Sequence, residues 1–227
     1  MENSWNPAKL AEMRTAYDRG RLAEGDLAPA PLAQFERWLL EAAEAGLAEP
    51  NAMALATADA AGRPSTRLVL LKGVDAAGFR FFTNRGSRKA RALEENPQVS
   101  LLFPWHEMHR QVEVRGAAEK MPAAESAAYF RTRPRESQLA AWASRQSEPL
   151  VGRAELEAQV TKLRARWPDE TEIPMPEFWG GYLVRAETVE FWHGRESRLH
   201  DRLRYEALRP GAPLDDPAAW RVRRYAP

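Results

Sequence analysis

The sequence predicts a mainly β protein with peripheral helices, an α+β chain whose strands form a closed or split β-barrel. Segments with strand character outnumber helical segments, and the turns between them are short, so neighbouring strands should pair antiparallel. A flat sheet of this kind would expose unpaired edges, which curling into a barrel removes. We expect one barrel domain over residues 31–227, preceded by a flexible arm over residues 1–30.

The first half of the chain contains one helix and then a run of strands. Apolar residues at helical spacing predict a helix over residues 31–47, with a stripe at Leu32, Phe35, Leu39 and Ala43. Alternating apolar segments bounded by turn residues predict strands over residues 52–58, 66–74, 79–83, 99–105 and 111–120. Between them, Ser87 can cap a short helix that ends before Pro97.

Helices dominate the middle of the chain and strands return near its end. The predicted helices cover residues 123–132, 136–144 and an amphipathic segment, 153–167. A proline-rich loop follows, and the predicted strands then cover residues 179–185, 189–193, 199–206 and 220–225. Within the arm, residues 13–17 have weak helical character.

The composition is that of a soluble globular protein, with 44% hydrophobic and 29% charged residues. Its 33 basic and 32 acidic residues nearly cancel, which argues against a general nucleic-acid binder. The absence of cysteine excludes disulfides, thiolate nucleophiles and cysteine metal ligands. The N-terminus lacks the apolar core of a signal peptide, and no apolar run is long enough to cross a bilayer. We expect a cytoplasmic protein with no membrane or nucleic-acid partner.

Two basic pairs in the first half suggest anion sites. Arg67 and Lys72 stand at an odd spacing near the ends of one predicted strand, so they should project from opposite faces and could serve two anions. Arg88 and Lys89 begin a predicted helix, where the macrodipole disfavours cations unless an anion lies between them. Both patterns are also compatible with charges that are simply solvated.

A tyrosine and an arginine form a third candidate. Tyr129 and Arg133 lie one helical turn apart, and Ser137 follows Pro134 at the start of the next helix. Their hydroxyl and guanidinium groups could converge on one phosphate. The same residues also suit an ordinary helix surface.

Residues 198–202 form the arrangement least suited to a purely structural strand. On a strand, Arg198, His200 and Arg202 would alternate onto one face, while Asp201 would point the other way and could not neutralise them. Three cationic or protonatable groups in a row repel one another unless they share an anionic ligand. The pattern therefore predicts a ligand on that face.

Other sequence signals of chemistry are absent. His106 and His109 lack the spacing of zinc-protease ligands, so no metal site is predicted. The chain also has no glycine-rich dinucleotide fingerprint, no Walker-type phosphate loop and no nucleophile elbow. A redox enzyme without these motifs would have to take its chemistry from a bound cofactor.

Taken together, these segments resemble the pyridoxine/pyridoxamine 5′-phosphate oxidase family. The resemblance runs from Arg14 to the C-terminus, and its matching stretches are residues 67–72, 78–89, 110–112, 129–137, 138–147 and 190–202. It implies a split barrel that binds flavin mononucleotide (FMN) and a homodimer with FMN at the subunit interface. It also implies oxidation of pyridoxine 5′-phosphate and pyridoxamine 5′-phosphate to pyridoxal 5′-phosphate, with oxygen as acceptor and hydrogen peroxide as product.

The resemblance implies a role for each matched residue. The residues implied to hold FMN, some of them from the partner chain, are Arg67, Leu68, Val69, Leu70, Leu71, Phe82, Thr83, Arg88, Lys89, Gln111, Gln146, Ser147, Trp192 and Arg202. The residues implied to bind substrate are Arg14, Tyr17, Lys72, Tyr129, Arg133, Ser137, Arg198 and His200, the last two being catalytic and lying over the pyridine ring. Three positions depart from the family pattern: Phe82 replaces Tyr, His193 replaces Gln and Tyr225 replaces Leu.

Two other functions also fit the residues. Another split-barrel flavoprotein could reduce a different substrate with nicotinamide or a deazaflavin, and it would lack the set of Tyr129, Arg133 and Ser137. A non-enzymatic cofactor-binding or RNA-binding module could use the arginine-rich tail. That module would bind nucleic acid with a steep salt dependence, and the near-zero net charge argues against it.

Overall fold

A computed structural model describes Tyr17 and residues 20–227 of the 227-residue chain. Its strands are β1 Ala52–Ala58, β2 Pro64–Leu70, β3 Gly73–Asp75, β4 Gly78–Asn84, β5 Gln98–Trp105, β6 Arg110–Lys120, β7 Trp179–His193, β8 Asp201–Ala207 and β9 Trp220–Arg224. Its helices are α1 Pro31–Glu44, α2 Arg88–Glu95, α3 Ala123–Thr132, α4 Arg135–Ala143 and α5 Arg153–Arg166. These elements agree with a mainly β chain that carries peripheral helices.

All nine strands belong to one antiparallel sheet, in the order β2-β1-β5-β6-β7-β4-β3, with β8 on β7 and β9 on β8. The sheet branches at β7, because this strand pairs with three others. Its first part pairs with β4, its last part pairs with β8, and its other edge pairs with β6 along most of its length. The sheet therefore divides along β7.

Glycine at position 116 allows β6 and β7 to remain paired across a bulge. The register between these strands shifts between Arg115 and Gly116. A Cβ atom on Gly116 would overlap the carbonyl oxygen of Arg185 on β7. Any other side chain would push the two strands apart at this point.

The main core lies between α1 and the sheet. The ring of Phe35 packs edge-on against Phe79 at 5.0 Å, and Trp38 packs edge-on against Phe191 at 5.2 Å. The helix ends at Glu44, and its buried residues are Pro31, Gln34, Phe35, Trp38 and Ala42. The predicted stripe was therefore correct at Phe35 but wrong at Ala43, which is exposed, because the buried face is centred on Trp38.

A smaller core joins α3, α4 and β7. Its buried members are Phe130, Leu139, Trp167, Ile173 and Trp179. Helix α5 packs beside it through Leu163 but buries no residue fully, so its predicted amphipathic character is weak. The longest helices have 14 residues, and none in the described part of the chain is both long and apolar enough to cross a membrane.

Three predicted strands have different limits in the structure. The segment 66–74 breaks after Leu70, because the amides of Leu71 and Lys72 bond to the carbonyls of Asn51 and Arg80. The segments 179–185 and 189–193 are one continuous strand, β7. The segment 199–206 begins only at Asp201, since a 3-10 turn at Glu196–Arg198 precedes it.

Part of the predicted arm lies against the barrel. Leu22 and Ala30 are buried, with 3% and 4% of their surface exposed. Arg14 and the predicted helical segment before Tyr17 lie outside the described residues.

The close approach at the bulge makes a testable prediction. Gly116→Ala should lower the free energy of unfolding by about 1–3 kcal/mol, because the added methyl group meets backbone that cannot move aside. Gly25→Ala is the matched control, since a Cβ there meets nothing within 4 Å. Urea unfolding of both variants measures the difference, and equal stabilities would contradict this account of the bulge.

Candidate active site

A cavity of about 720 Å³ opens between β2, β4, the start of α2 and helices α3 and α4. Many of the residues predicted to hold cofactor or substrate line it. They are Arg67, Leu68, Val69, Leu70, Lys72, Phe82, Thr83, Arg88, Lys89, Tyr129, Arg133, Gln146 and Ser147. The fold therefore gathers four segments that are distant in sequence around one space.

One end of the cavity contains three cations, Arg67, Arg88 and Lys89. Arg67 donates to the carbonyl of Leu55 and the hydroxyl of Thr57, both at 2.9 Å. The buried Nζ of Lys89 lies 2.8 Å from Oε1 of Gln146. None of the ion pairs found in the described part of the chain includes any of the three cations. Neutral groups orient the side chains of Arg67 and Lys89, and the positive charge of all three cations stays uncompensated.

Burial and mutual repulsion act on the pKa values at this end. Burial first, and then the positive charge of Arg67, lower the pKa of Lys89 from 10.5 to about 8. Burial and the charge of Arg88 lower the pKa of Arg67 as well. These three cations converge at the N-terminus of α2, where the helix dipole also favours an anion. The donor set fits a phosphate group such as that of FMN.

The other end of the cavity is formed by stacked rings. The ring of Phe82 lies nearly parallel to those of Tyr129 and Trp179, with centroids 4.0 Å and 5.4 Å away. The guanidinium of Arg133 lies 4.8 Å from the centroid of Trp179. Its Nη1 is buried and has no hydrogen-bond partner among the described residues. Burial lowers the pKa of Arg133, so a second anion would be stabilised here. Phe82, the first departure from the family pattern, contributes a ring face to this stack.

Arg67 and Lys72 line the same cavity, so the prediction that they project from opposite faces is wrong. The strand ends at Leu70, and the alternation of faces does not continue to Lys72. Two predicted residues from the same segments of the chain, Leu71 and Ser137, lie outside the cavity lining. Leu71 is buried in the main core, and Ser137 sits in the first turn of α4, where its amide donates to the carbonyl of Pro134.

A second group of predicted residues forms one row across three strands. Gln111 on β6 is paired with Trp192 on β7, which is paired with Arg202 on β8. These three residues line a separate cavity of about 320 Å³ together with Glu190 and Pro227. On the opposite face of the same strands, Val112, Phe191 and Leu203 are fully buried. Strand alternation therefore presents the row away from the core.

Glu190 compensates the charge of Arg202. Its carboxylate accepts hydrogen bonds from Nε and Nη2 of Arg202 at 2.8 and 3.1 Å, and it also pairs with Arg204. Burial raises the pKa of Glu190, but the two arginines outweigh it and hold the pKa below its ordinary value. Arg202 is thus paired with a carboxylate that it shares with Arg204, unlike the three cations at α2. Its remaining N–H groups suit a neutral acceptor better than a phosphate.

Arg198 and His200 precede β8 in a tight loop, so the prediction that they alternate with Arg202 on one strand face is wrong. Ser197 and Arg198 have φ angles of 55° and 62°, the left-handed region that a strand excludes. His200 nevertheless packs beside Trp192 at 4.6 Å, and its Nδ1 accepts the amide of Arg195 at 3.1 Å. Burial and then the charge of Arg198 lower the pKa of His200, which favours a neutral ring with its proton on Nε2.

Tyr17 caps the same region. Its ring meets His200, Trp192 and His109 edge-on, at 5.5, 5.9 and 4.7 Å. Tyr17, a residue of the predicted arm, therefore contacts His200 in the loop that also carries Arg198.

Sequence reasoning missed several residues of the site. Trp179 supports both Phe82 and Arg133, and Asn84 connects β4 to the carbonyl of Ser144 at 3.0 Å. Their roles come from the pairing of β4 with β7, which no local sequence pattern predicts. Within the described residues, no cluster of three or more His, Cys, Asp or Glu side chains could hold a metal ion.

Two family models together match most of the chain. One, described as pyridoxamine 5′-phosphate oxidase, matches residues 39–167, and the other, described as the pyridoxine 5′-phosphate oxidase C-terminal dimerisation region, matches residues 179–227. The chain belongs to the pyridoxine/pyridoxamine 5′-phosphate oxidase family. The family prediction is therefore confirmed.

Individual relatives agree with this assignment. A pyridoxine/pyridoxamine 5′-phosphate oxidase of Kineococcus radiotolerans is 54% identical over 220 residues, covering 96% of this chain and 98% of the relative. One of Rubrobacter xylanophilus is 57% identical over 202 residues, covering 89% of this chain and 93% of the relative.

Solved structures confirm the predicted fold. PhzG of Burkholderia lata, crystallised with tetrahydrophenazine-1-carboxylic acid, superposes with a TM-score of 0.82 at 32% identity, over 94% of this chain and all of that one. An FMN-binding protein of Nostoc punctiforme, described as related to pyridoxamine 5′-phosphate oxidase, superposes with a TM-score of 0.67 at 16% identity, over 88% of this chain and all of that one. The α+β split barrel is therefore correct.

The buried Lys89 provides a test of the basic end. Because its folded-state pKa of about 8 lies below the ordinary 10.5, the unfolded chain binds more protons between these pH values, and the stability of the ligand-free protein should rise across them. Lys89→Met should remove this rise and raise the stability near neutral pH by on the order of 1 kcal/mol, while weakening FMN binding. Urea unfolding of both proteins at a series of pH values measures it. If the difference in unfolding free energy between the two proteins did not change with pH, the charge of Lys89 would not be uncompensated in the folded protein.

Proposed function

We propose that the chain oxidises pyridoxine 5′-phosphate and pyridoxamine 5′-phosphate to pyridoxal 5′-phosphate, with FMN as cofactor and oxygen as the electron acceptor. The proposal rests on a single cavity that is lined by two sets of cations. Arg67, Arg88 and Lys89 lie at the start of α2, and Arg133 lies beside the stacked rings. Both FMN and the substrates are phosphate esters with a flat ring system. A site for the pair needs two phosphate-binding ends with ring-sized space between them.

The basic end would hold the FMN phosphate. Arg67, Arg88 and Lys89 supply the charge there. Thr83 and Gln146 hold the Lys89 side chain, Ser147 accepts the backbone amide of Arg88, and Thr57 holds Arg67. The exposed β2 segment at Leu68 would lie beside the rest of the cofactor. When bound, FMN supplies the redox chemistry, accepting a hydride from the substrate and returning the electrons to oxygen.

The stacked-ring end would hold the substrate phosphate. The Nη1 group of Arg133 is a buried donor without a hydrogen-bond partner among the described residues. Lys72 and Tyr129 line the same cavity. Trp179 holds the guanidinium over its ring, because a cation is attracted to the face of an aromatic ring. Arg14 and Ser137 are assigned to substrate binding on the family resemblance alone.

The remaining predicted residues would act on the ring of the substrate. Arg198 carries a positive charge that can stabilise the 3-oxygen of the pyridine ring as an anion. Neutral His200 can donate its Nε2 proton in a hydrogen bond to the substrate. Pyridoxine phosphate then loses a hydride and a proton from its 4′-alcohol. Pyridoxamine phosphate loses the same from its 4′-amine, and water releases ammonia from the resulting imine.

We propose further that the complete site forms between two copies of the chain. The main cavity and the cavity beside Gln111, Trp192 and Arg202 have no lining residue in common. A homodimer in which one copy supplies the phosphate-binding cavity and the other supplies the second group would complete the site. Residues 179–227, which contain most of that second group, match the family's dimerisation region, and Leu68 is 70% exposed.

The proposed activity has a direct test. The purified protein should be yellow, release FMN on denaturation and consume oxygen when given either substrate. Under anaerobic conditions both substrates should bleach the flavin, whereas a split-barrel reductase would respond to a reduced nicotinamide or deazaflavin instead. A colourless protein that FMN cannot reconstitute would exclude the proposal.

Two substitutions separate the roles within the site. Arg133→Ala should mainly raise the KM for pyridoxine 5′-phosphate, by on the order of tenfold or more, because it removes a charged phosphate contact. Arg198→Ala should slow flavin reduction far more than it weakens FMN binding. Stopped-flow flavin absorbance and FMN titration measure the two effects, and the reverse order would contradict the assignments.

Mixing two inactive variants tests the shared site. Lys89→Met disables the phosphate-binding cavity. Arg198→Ala removes a catalytic residue from the loop whose His200 packs beside Trp192 of the second group. Hybrid dimers made by co-refolding equal amounts of both should contain one intact site, giving about a quarter of wild-type activity if dimers form at random. Each variant refolded alone is the control. No recovery in the mixture would place the whole site within one chain.

A further inference from the structure

Asp201 joins three parts of the chain that are far apart in sequence. Its Oδ2 accepts the backbone amide of Leu22 at 3.1 Å and lies 3.4 Å from Nη1 of Arg195. Its Oδ1 accepts Nη1 of Arg224 on β9 at 2.7 Å. The carboxylate is mostly buried, with 16% of the side chain exposed. It is the point where the end of the N-terminal segment, the 195–200 loop and the last strand meet.

Arg224 strengthens the same junction. Its Nε and Nη2 donate to the two carboxylate oxygens of Glu24 at 2.8 and 3.0 Å, and Nη2 also reaches the carbonyl of Leu22 at 3.1 Å. Both backbone polar groups of Leu22 are therefore held by charged side chains of β8 and β9. Charge-assisted hydrogen bonds of this kind are stronger than neutral ones.

Tyr17 lies a few residues before this junction and depends on where the chain enters. A Cβ atom on Gly194 would lie 2.5 Å from Cδ1 of Tyr17, so the ring rests directly on the backbone of Gly194. Gly20 lies close to the imidazole of His193, the second departure from the family pattern. Tyr17 and Gly20 thus lie against residues 193–194, and Leu22 is fastened by Asp201.

We propose that Asp201 is a positioning residue, which fastens the N-terminal segment to the 195–200 loop and thereby places Tyr17 against Trp192 and His200. The consequence for catalysis rests on the proposed function, in which His200 contacts the substrate, and on the substrate contact that the family resemblance implies for Tyr17. Asp201 itself acts through them and needs no contact with substrate or FMN. The fastening is a property of the protein without any ligand.

Glu206 is the matched control on the same strand. Its side chain is 17% exposed and pairs with Arg221 and Arg223 of β9, as Asp201 pairs with Arg224. Its third partner is the hydroxyl of Tyr225, the third departure from the family pattern. None of these partners belongs to the N-terminal segment or to the 195–200 loop. Glu206→Gln therefore removes a similar charge from the contact between β8 and β9 and leaves the junction intact.

Limited proteolysis tests the fastening without reference to activity. Trypsin can cut after Arg21 only when Leu22 leaves its buried position. Asp201→Asn should accelerate this cleavage by on the order of tenfold, because a charge-assisted bond to the amide is lost. Arg224→Gln, at a more exposed position, should do the same, and Glu206→Gln should not. Equal cleavage rates in Asp201→Asn, Arg224→Gln and the wild type would overturn the proposal.

A double-mutant cycle tests the consequence for Tyr17. Asp201→Asn should lower kcat/KM for pyridoxine 5′-phosphate by on the order of tenfold with FMN affinity unchanged, and the loss should nearly vanish in a Tyr17→Ala background. Equal losses in both backgrounds would mean that Asp201 acts on stability in general, which overturns the positioning role. A wild-type chain without oxidase activity would refute the proposed function instead, and the cleavage rates would still decide the fastening.

Discussion

The arrangement of the site depends on the pairing of β7 with three neighbours. This strand runs beside β6 along one edge and beside β4 and then β8 along the other. Its first residue, Trp179, supports the stacked rings and Arg133, and its last residues carry Glu190, Trp192 and His193. The bulge at Gly116 lets β6 stay paired with this strand on both sides of a shift in register. Both cavities are therefore located by one strand.

Charge compensation distinguishes two kinds of arginine in this protein. Arg202 is bonded to a buried carboxylate, and Arg224 is bonded to two carboxylates, so both stabilise the fold without a ligand. Arg67 and Arg133 are partly buried, and the ion pairs found among the described residues include neither. Burial of an uncompensated cation costs folding free energy, which a bound anion recovers. Uncompensated cations are therefore a better indication of the proposed phosphate positions than the number of arginines in the sequence.

The sequence was informative where chemistry is local. The strand alternation, the Ser87 cap and the cations at the start of α2 follow from short-range patterns, and the structure confirms these elements. Predictions from the sequence were wrong where a local pattern was extended beyond the end of a strand. The alternation from Arg67 to Lys72 fails because the strand ends at Leu70, and that from Arg198 to Arg202 fails because two residues adopt left-handed backbone angles.

By itself, the sequence determined the family, the α+β class and the residue types that could bind phosphate, because these are recorded in ordered motifs and in periodic apolar positions. Only the tertiary structure decided which of those residues share a cavity, since Thr83, Lys89, Tyr129 and Gln146 meet through strand pairing and helix packing. It also gave Asp201 partners that the sequence did not predict, although the carboxylate pairs with neither Arg198 nor Arg202, as expected. The carboxylate instead holds the N-terminal segment, because its partners Leu22 and Arg224 come from opposite ends of the chain.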